Sequence, residues 1–233
     1  MSALPTAEKL LEMHCETLYI HDGQGDIVAD NSPYPAERRA CVRFHLGWND
    51  QRKTHRFRQD IASGVRDRVL AWLKLNSPCG REAPAGLAEL ADIFGAAVDQ
   101  IGIGPVYYAS KALPDDSTAI AIDAGNENCL PGDYLQAGEI DFVCPCRAVV
   151  VKGRAVSICV TVRRALHSAE AGVDTVVCSR GMGYAGRVTA AWAAAVQAEG
   201  LVPFYSTSVD NTPSRRVAEK LELVQLGWEL GVR

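Results

Sequence analysis

One short segment constrains the fold of this chain more than any other: residues 179–185, with the sequence Ser-Arg-Gly-Met-Gly-Tyr-Ala. It lies between an apolar, β-branched run and an alanine-rich stretch, which predicts a strand that ends in glycines and opens into a helix. The first amides of such a helix have no partner within it and lie at the positive end of the helix dipole. The segment therefore predicts a binding corner for a phosphate or pyrophosphate group.

The residue types at this corner favour an anion as well. Arg180 adds a planar cation that can bond two phosphate oxygens at once. Gly181 and Gly183 let a ligand approach the backbone closely, because they carry no Cβ. A tight glycine turn without any ligand is the structural alternative.

The same glycines also fit the dinucleotide fingerprint, as Gly181-x-Gly183-x-x-Gly186. That fingerprint belongs to a doubly wound sheet, which needs several more parallel strands downstream. After the next strand, residues 201–207, the chain has room for only one short helix and one terminal strand. The dinucleotide interpretation is therefore not favoured.

The elements before the corner are predicted from β-branched runs and turn residues. Residues 148–151 and 155–161 are such runs, joined at Lys152-Gly153-Arg154, which predicts a hairpin. Residues 171–177 predict a third strand. An apolar stripe predicts a helix over 183–199, ended by Gly200.

The elements after the corner complete the pattern. Pro203 interrupts the next strand, which favours an edge or a splayed position in the sheet. Thr212-Pro213 predicts a helix start with the threonine hydroxyl as N-cap, and residues 223–230 predict a final strand. Three strands, a helix, a strand, a helix and a strand predict a mixed α/β (α+β) fold, with a mostly antiparallel central sheet and flanking helices.

Two motifs resemble those of a known superfamily. Arg180-Gly-x-Gly-Tyr-Ala followed by a helix resembles the acetyl-CoA signature of the GNAT N-acetyltransferases. Residues 205–221, which include Asp210-Asn211-x-x-Ser214, look like that superfamily's next strand, loop and helix. The resemblance covers about residues 146–233, and the first half looks like the divergent half of two-part bacterial members. It implies an enzyme that transfers acetyl from acetyl-CoA, as co-substrate, to an amine in a ternary complex.

The resemblance also implies roles for individual residues. The strand before the corner would lend main-chain groups to the pantetheine arm, and the amides of residues 180–185 would meet the pyrophosphate. Asn211 would bond the pantetheine or set the loop, unless it only forms an Asx-turn or helix cap. The implied cofactor-binding residues are Thr175, Val177, Arg180, Gly181, Met182, Gly183, Tyr184, Ala185, Asn211 and Ser214.

The catalytic groups are less clearly marked. In many superfamily members a tyrosine that acts as the general acid stands where this chain has Ala218, so the acid is missing or comes from elsewhere. Tyr205 is a candidate on the preceding strand, and Ser206 and Ser208 are alternatives nearby. Glu170 lies close to where some relatives have a glutamate that acts as the general base, although it could be a solvated carboxylate at a strand end. Glu222 replaces the superfamily's glycine before the final strand, so the helix exit is expected to differ.

Composition limits the partners. A net charge of -4 gives no bulk attraction to nucleic acid or to an anionic membrane. No apolar run is long enough to cross a bilayer, and the first residues lack a signal-peptide pattern, which indicates the cytoplasm. Cys144-Pro145-Cys146 has no second close pair beside it, so no metal site is expected among the eight cysteines.

We expect two regions: a divergent α+β region over residues 1–138, which could be a degenerate GNAT-like half, and a GNAT-like acetyl-CoA-binding domain over residues 139–233. The expected partners are acetyl-CoA and a small-molecule or peptide amine, while the oligomeric state stays open. A GNAT-like CoA-binding module without turnover and a purely structural domain are the functional alternatives.

Overall fold

A computed structural model describes residues 5–34, 41–78, 80, 82–114, 116–131 and 139–233. The helices in these ranges are α1 Ala7–Leu18, α2 Ser63–Leu75, α3 Leu87–Phe94, α4 Tyr184–Ala198 and α5 Thr212–Lys220. The strands are β1 Tyr19–His21, β2 Ile27–Asp30, β3 Phe44–Trp48, β4 Lys53–Phe57, β5 Ile101–Tyr108, β6 Ala119–Ile122, β7 Cys146–Val151, β8 Arg154–Arg164, β9 Ser168–Thr175, β10 Val202–Ser206 and β11 Val224–Val232.

In the described ranges, nine strands form one sheet in the order β4-β3-β11-β5-β10-β9-β8-β7-β6, and β1 pairs with β2 separately. Every neighbouring pair in the large sheet is antiparallel except β9 with β10. The predicted fold class is confirmed: a mixed, mostly antiparallel sheet with helices packed on it.

The sheet draws strands from both sides of the predicted boundary at residues 138 and 139. The C-terminal strand β11 lies between β3 and β5, and β5 in turn lies beside β10. Residues 132–138, directly before this boundary, lie outside the described ranges. The division into two folding units stays a prediction, whereas the sheet itself is shared.

Helices cover both faces of the sheet. On one face, α4 packs Val188 and Trp192 into the core. On the other face, α1 packs Leu10 and Leu11 against Phe204. Because successive strand residues point to opposite faces, β10 sends Phe204 toward α1 and Tyr205 toward α4. Burial of each such large side chain contributes about 1.5–3 kcal/mol.

Two predicted turns are confirmed. The hairpin between β7 and β8 turns at Lys152 and Gly153, whose φ values of 51° and 77° match a two-residue turn with two left-handed residues. Helix α4 ends where Gly200 takes a φ of 77°. In both places local chemistry was sufficient to predict the turn.

Several predicted boundaries are wrong. The third strand runs from Ser168 to Thr175, and Val177 begins a short 3-10 turn. Helix α3 ends at Phe94, before Gly95, which takes a φ of 60°. Helix α1 was not predicted at all.

Of the two positions expected for the strand with Pro203, the structure shows the splayed one: β10 lies inside the sheet between β5 and β9, and its pairing with β9 ends at Phe204. The proline is tolerated because its carbonyl accepts from Ala109, one residue beyond the end of β5. Its missing N–H therefore faces a point where the ladder with β5 has already ended.

The ends of helix α5 differ from expectation in two ways. Asn211, not Thr212, is the N-cap, and its side-chain oxygen accepts from the Ser214 amide at 3.2 Å. At the other end, Glu222 takes the left-handed φ of 52° that a glycine would adopt, and it pairs with Lys111. The glycine-type helix exit is thus kept without a glycine.

Candidate functional site

The parallel strands β9 and β10 separate after a short stretch of pairing. Their register ends at Phe204 opposite Glu170, although β9 continues to Thr175. The Val176 amide donates to Val156 on β8, so by alternation the main chain of Val173 faces the other way, toward β10. The separation leaves main-chain groups of β9 beside an open gap.

This gap continues into a cleft of about 870 Å³ between the end of β9, the glycine corner, the first turn of α4 and the first turns of α5. Three of the predicted site residues do not line it: Val177 and Met182, whose side chains are 74% and 59% exposed, and the buried Glu170. The structure brings the other nine to its wall: Thr175, Arg180, Gly181, Gly183, Tyr184, Ala185, Tyr205, Asn211 and Ser214.

The glycine corner forms the N-terminus of the 15-residue helix α4. Gly183 is its N-cap, with a φ of 81° and no side-chain cap, and Gly181 has a φ of 82°. The first amides of the helix, from Tyr184 to Gly186, have no partner within the helix and lie at the cleft. A Cβ built on Gly181 or Gly183 meets no atom within 4 Å, so the corner has room for a ligand. A diphosphate fits this donor set.

Two of the predicted main-chain contacts are already engaged within the protein. The Arg180 amide donates to Val177, and its guanidinium Nε donates to the Thr175 carbonyl at 3.1 Å. The Thr175 amide donates to Asp174 Oδ1 at 2.7 Å. Sequence reasoning missed Val173 and Ala171, which line the gap two and four residues before Thr175 on the same strand. The period of two along β9 is the signal that could have found them.

Tyr205 lies deep in the cleft wall, 5% exposed, with its hydroxyl 2.6 Å from that of Ser214 on α5. Burial raises its pKa to about 12, although the bond to Ser214 opposes this shift. Ala218, at the position of the superfamily's tyrosine, is fully buried in the same apolar cluster. The phenol hydroxyl beside α5 is therefore that of Tyr205, which lies on β10 and not on the helix.

Glu170 is not a solvated carboxylate, because only 2% of it is exposed. Its Oε1 accepts from both the amide and the hydroxyl of Ser206, at 2.7 and 2.8 Å. Its Oε2 lies 3.4 Å from Nε2 of His14 on α1. Ser206 itself lines the cleft, so it connects the buried carboxylate to the open space.

Residues 155–229, about a third of the chain, match the family model described as FR47-like protein. The chain carries an FR47-like, GNAT-related domain. The glycine corner and the splayed strands, with the cleft between them, all lie inside this FR47-like domain. Comparison with the curated proteins gives no match.

Solved structures of GNAT proteins resemble the chain more loosely. A GNAT-family protein from Novosphingobium aromaticivorans DSM 12444 is 22% identical, with a TM-score of 0.46 over 57% of this chain and 66% of that one, just under two thirds. A GCN5-related N-acetyltransferase-like protein from Streptococcus suis 89/1591 is 20% identical, with a TM-score of 0.46 over 82% and 84%. An acetyltransferase of the GNAT family from Colwellia psychrerythraea is 13% identical, with a TM-score of 0.47 over 100% and 99%.

Two features are absent from the described residues. No helix there is long and apolar enough to cross a membrane. No group of three or more His, Cys, Asp or Glu residues in those ranges could hold a metal ion.

Proposed function

We propose that the chain is an acetyl-CoA-dependent N-acetyltransferase that acts on an amine in a ternary complex. The observation that carries the proposal is the open gap between β9 and β10, which leads directly to the N-terminus of α4. A thioester on a long arm with a diphosphate at its far end matches this combination of an extended gap and an anion corner.

The cofactor's parts would meet different groups along the cleft. The diphosphate would accept from the amides of Gly181 and of residues 183–186, with Arg180 beside them. The pantetheine arm would bond the main chain of Ala171 and Val173, like a strand added to the gap. Arg216 and Lys220 line the cleft one turn apart on α5 and would add positive charge near further phosphate groups.

The acyl-transfer chemistry needs a group that takes a proton from the attacking amine. Ser206 could take it at Oγ while passing its own hydroxyl proton to Oε1 of Glu170. As the amine nitrogen bonds to the thioester carbon, the carbon–sulfur bond breaks and the thiolate accepts a proton from Tyr205. Proton exchange with water then restores both groups, so amine and thioester give amide and thiol.

A non-catalytic CoA-binding module is the alternative, and the buried Ala218 at the superfamily's tyrosine position favours it. The acceptor, which we expect to be a small-molecule or peptide amine, and the cytoplasmic location remain predictions.

Calorimetric titration with acetyl-CoA tests the cofactor half of the proposal. Replacement of Arg180 by Ala removes a charged hydrogen bond, worth about 1.5–3 kcal/mol, or about ten- to a hundredfold in affinity. Arg187→Ala is the matched control, because Arg187 lies near the start of α4 but pairs with Asp116 outside the cleft. Absence of saturable binding in the wild-type protein would overturn the proposal and leave a structural domain.

Acetyl transfer to a panel of polyamines, aminoglycosides, amino acids and peptides tests the catalytic half. Thiol release that depends on one class of amine supports the enzyme. Tight acetyl-CoA binding without turnover of any amine would support the module instead.

A further inference from the structure

A buried histidine from the N-terminal helix lies between two carboxylates. His14 is 1% exposed, with Nε2 at 3.4 Å from Glu170 Oε2 and Nδ1 at 3.8 Å from Glu229 Oε2. The ring also packs edge-on against Phe204, with centroids 5.1 Å apart. Packing alone needs no imidazole at this position, because an apolar ring could make the same contact.

We propose that His14 is a positioning residue for acetyl transfer: as an imidazolium between Glu170 and Glu229, it keeps Glu170 as a carboxylate that presents Oε1 to Ser206. This inference rests on the proposed function, because it assigns a role to the carboxylate that would take the proton from the amine.

The hydrogen bonds of Glu170 are unequally divided between its two oxygens. Oε1 accepts two hydrogen bonds from Ser206, whereas Oε2 and the facing His14 Nε2 have no aligned hydrogen bond. Two uncharged polar atoms left unpaired in the core would cost free energy on both sides. Opposite charges at 3.4 Å offset that cost, and they attract without strict alignment.

The charges around His14 favour its protonated form. Burial lowers the pKa of His14, but contact with Glu170 and the negative charge of Glu229 outweigh burial and raise it above 6.5. His45 on β3 opposes this shift, although it lies 3.4 Å from Glu229 and shares that carboxylate. Arg163 on β8 also faces the cluster, but Asp30 holds its guanidinium at 2.9 Å.

The inference gives the N-terminal region a part in the reaction. His14 lies on α1 and His45 on β3, both outside the FR47-like segment 155–229. Glu170 and Glu229 lie within that segment, so the two regions meet at this buried cluster. His14 itself gains and loses no proton in the transfer step; it sets the charge beside the group that does.

The pH dependence of kcat/KM, measured with the first amine of the panel that is turned over, tests the role. In His14→Gln the Glu170 carboxylate loses the cation that faces its Oε2. A neighbouring opposite charge favours the ionised form of a carboxyl group, so its loss should move the acidic limb of the pH profile to higher pH. His55→Gln is the matched control, because His55 lies on β4 against Phe44 and Phe57, away from the cluster.

Glu229→Gln gives a second variant, in case His14→Gln does not fold. Its side chain is 21% exposed, so the amide is better tolerated there. Loss of its charge removes one of the two causes that raise the pKa of His14, so the His14 ring should lose its proton at lower pH than in the wild type. A folded His14→Gln protein with the wild-type pH profile, or a folded Glu229→Gln protein with the wild-type His14 titration, would overturn the inference.

An NMR titration of histidine-labelled protein separates this inference from the proposed function. The His14 ring should remain an imidazolium above pH 6.5 in the wild type and lose its proton at lower pH in Glu170→Gln. A His14 titration that is the same in Glu170→Gln as in the wild type overturns the inference, whatever the activity. If the His14 titration does depend on Glu170 but no amine is turned over, the proposed acetyltransferase activity is overturned and the charge pair between His14 and Glu170 is not.

Discussion

The hydroxyls of Tyr205 and Ser214 lie 2.6 Å apart, so a hydrogen bond joins the middle of the sheet to the first turn of α5. Because Tyr205 is buried and its pKa is raised to about 12, the phenol stays protonated throughout the neutral range. A proton donor is therefore held at the cleft wall without a tyrosine on the helix.

Tyr205→Phe should lower kcat by about a hundredfold or more, because a positioned general acid contributes about 10²–10⁴ in rate. Acetyl-CoA affinity measured by calorimetry should stay close to the wild-type value. Ser214→Ala keeps the phenol and loses only its partner, so its loss of kcat should be smaller. An unchanged kcat in Tyr205→Phe would mean that the thiolate leaves without this acid.

Ser206→Ala should also lower kcat by about a hundredfold or more, because it breaks the proton path from the cleft to Glu170. Ser206→Thr keeps a hydroxyl at the same atom and should recover most of the rate. Equal rates for the alanine and wild-type proteins would exclude Ser206 from the path.

Gly183→Ala and Gly200→Ala form a matched pair at the two ends of α4. Both glycines have φ near 80°, and neither has an atom within 4 Å of a built Cβ. Each substitution should lower the free energy of unfolding in urea by about 1–2 kcal/mol, the cost of a left-handed backbone. Only Gly183→Ala should also weaken acetyl-CoA binding, and equal affinities would show that the corner does not hold the diphosphate.

Gly104→Ala should destabilise the fold, because a Cβ there would lie 1.7 Å from the Thr207 carbonyl oxygen. Backbone cannot move aside as a side chain can, so we expect a loss of about 1–3 kcal/mol or more in the free energy of unfolding. Gly102→Ala, on the same strand with nothing within 4 Å, should change it by less than about 0.5 kcal/mol. Similar values for the two variants would contradict this close approach of β5 to the loop after β10.

The free energy of unfolding should depend on pH through His14. Its pKa is raised in the folded protein, so its contribution is complete below about pH 6.5 and is lost as the pH rises through the folded pKa. The stability difference between wild type and His14→Gln should therefore shrink above pH 6.5. A difference that stays constant or grows would mean that the folded protein does not hold an imidazolium.

His45 and Cys15 should not obscure this slope. Burial opposes both charges, but the two groups attract each other, which raises the pKa of His45 to about 10 and lowers that of Cys15 to about 6. The contributions of His45 and Cys15 to the free energy of unfolding change in opposite directions with pH. Both groups are present in the wild type and in His14→Gln.

Local chemistry explains which features could be predicted. The hairpin at Lys152-Gly153, the end of α4 at Gly200 and the glycine corner depend on neighbouring residues alone. The position of β10 in the sheet could not be predicted in this way, because Pro203 restricts only the backbone hydrogen bonding of its own residue. That strand lies inside the sheet because β5, about a hundred residues earlier in the chain, pairs with its other edge.

For the site, the sequence by itself determined the anion corner, because two glycines, an arginine and a helix start are consecutive in the chain. Only the tertiary structure decided the surroundings of Glu170. Its contacts with Ser206 and His14 join residues that are 36 and 156 positions away along the chain, and no local pattern encodes such a pairing. Sheet order and the packing of α1 across it bring these groups together, and burial then makes their charges act on one another.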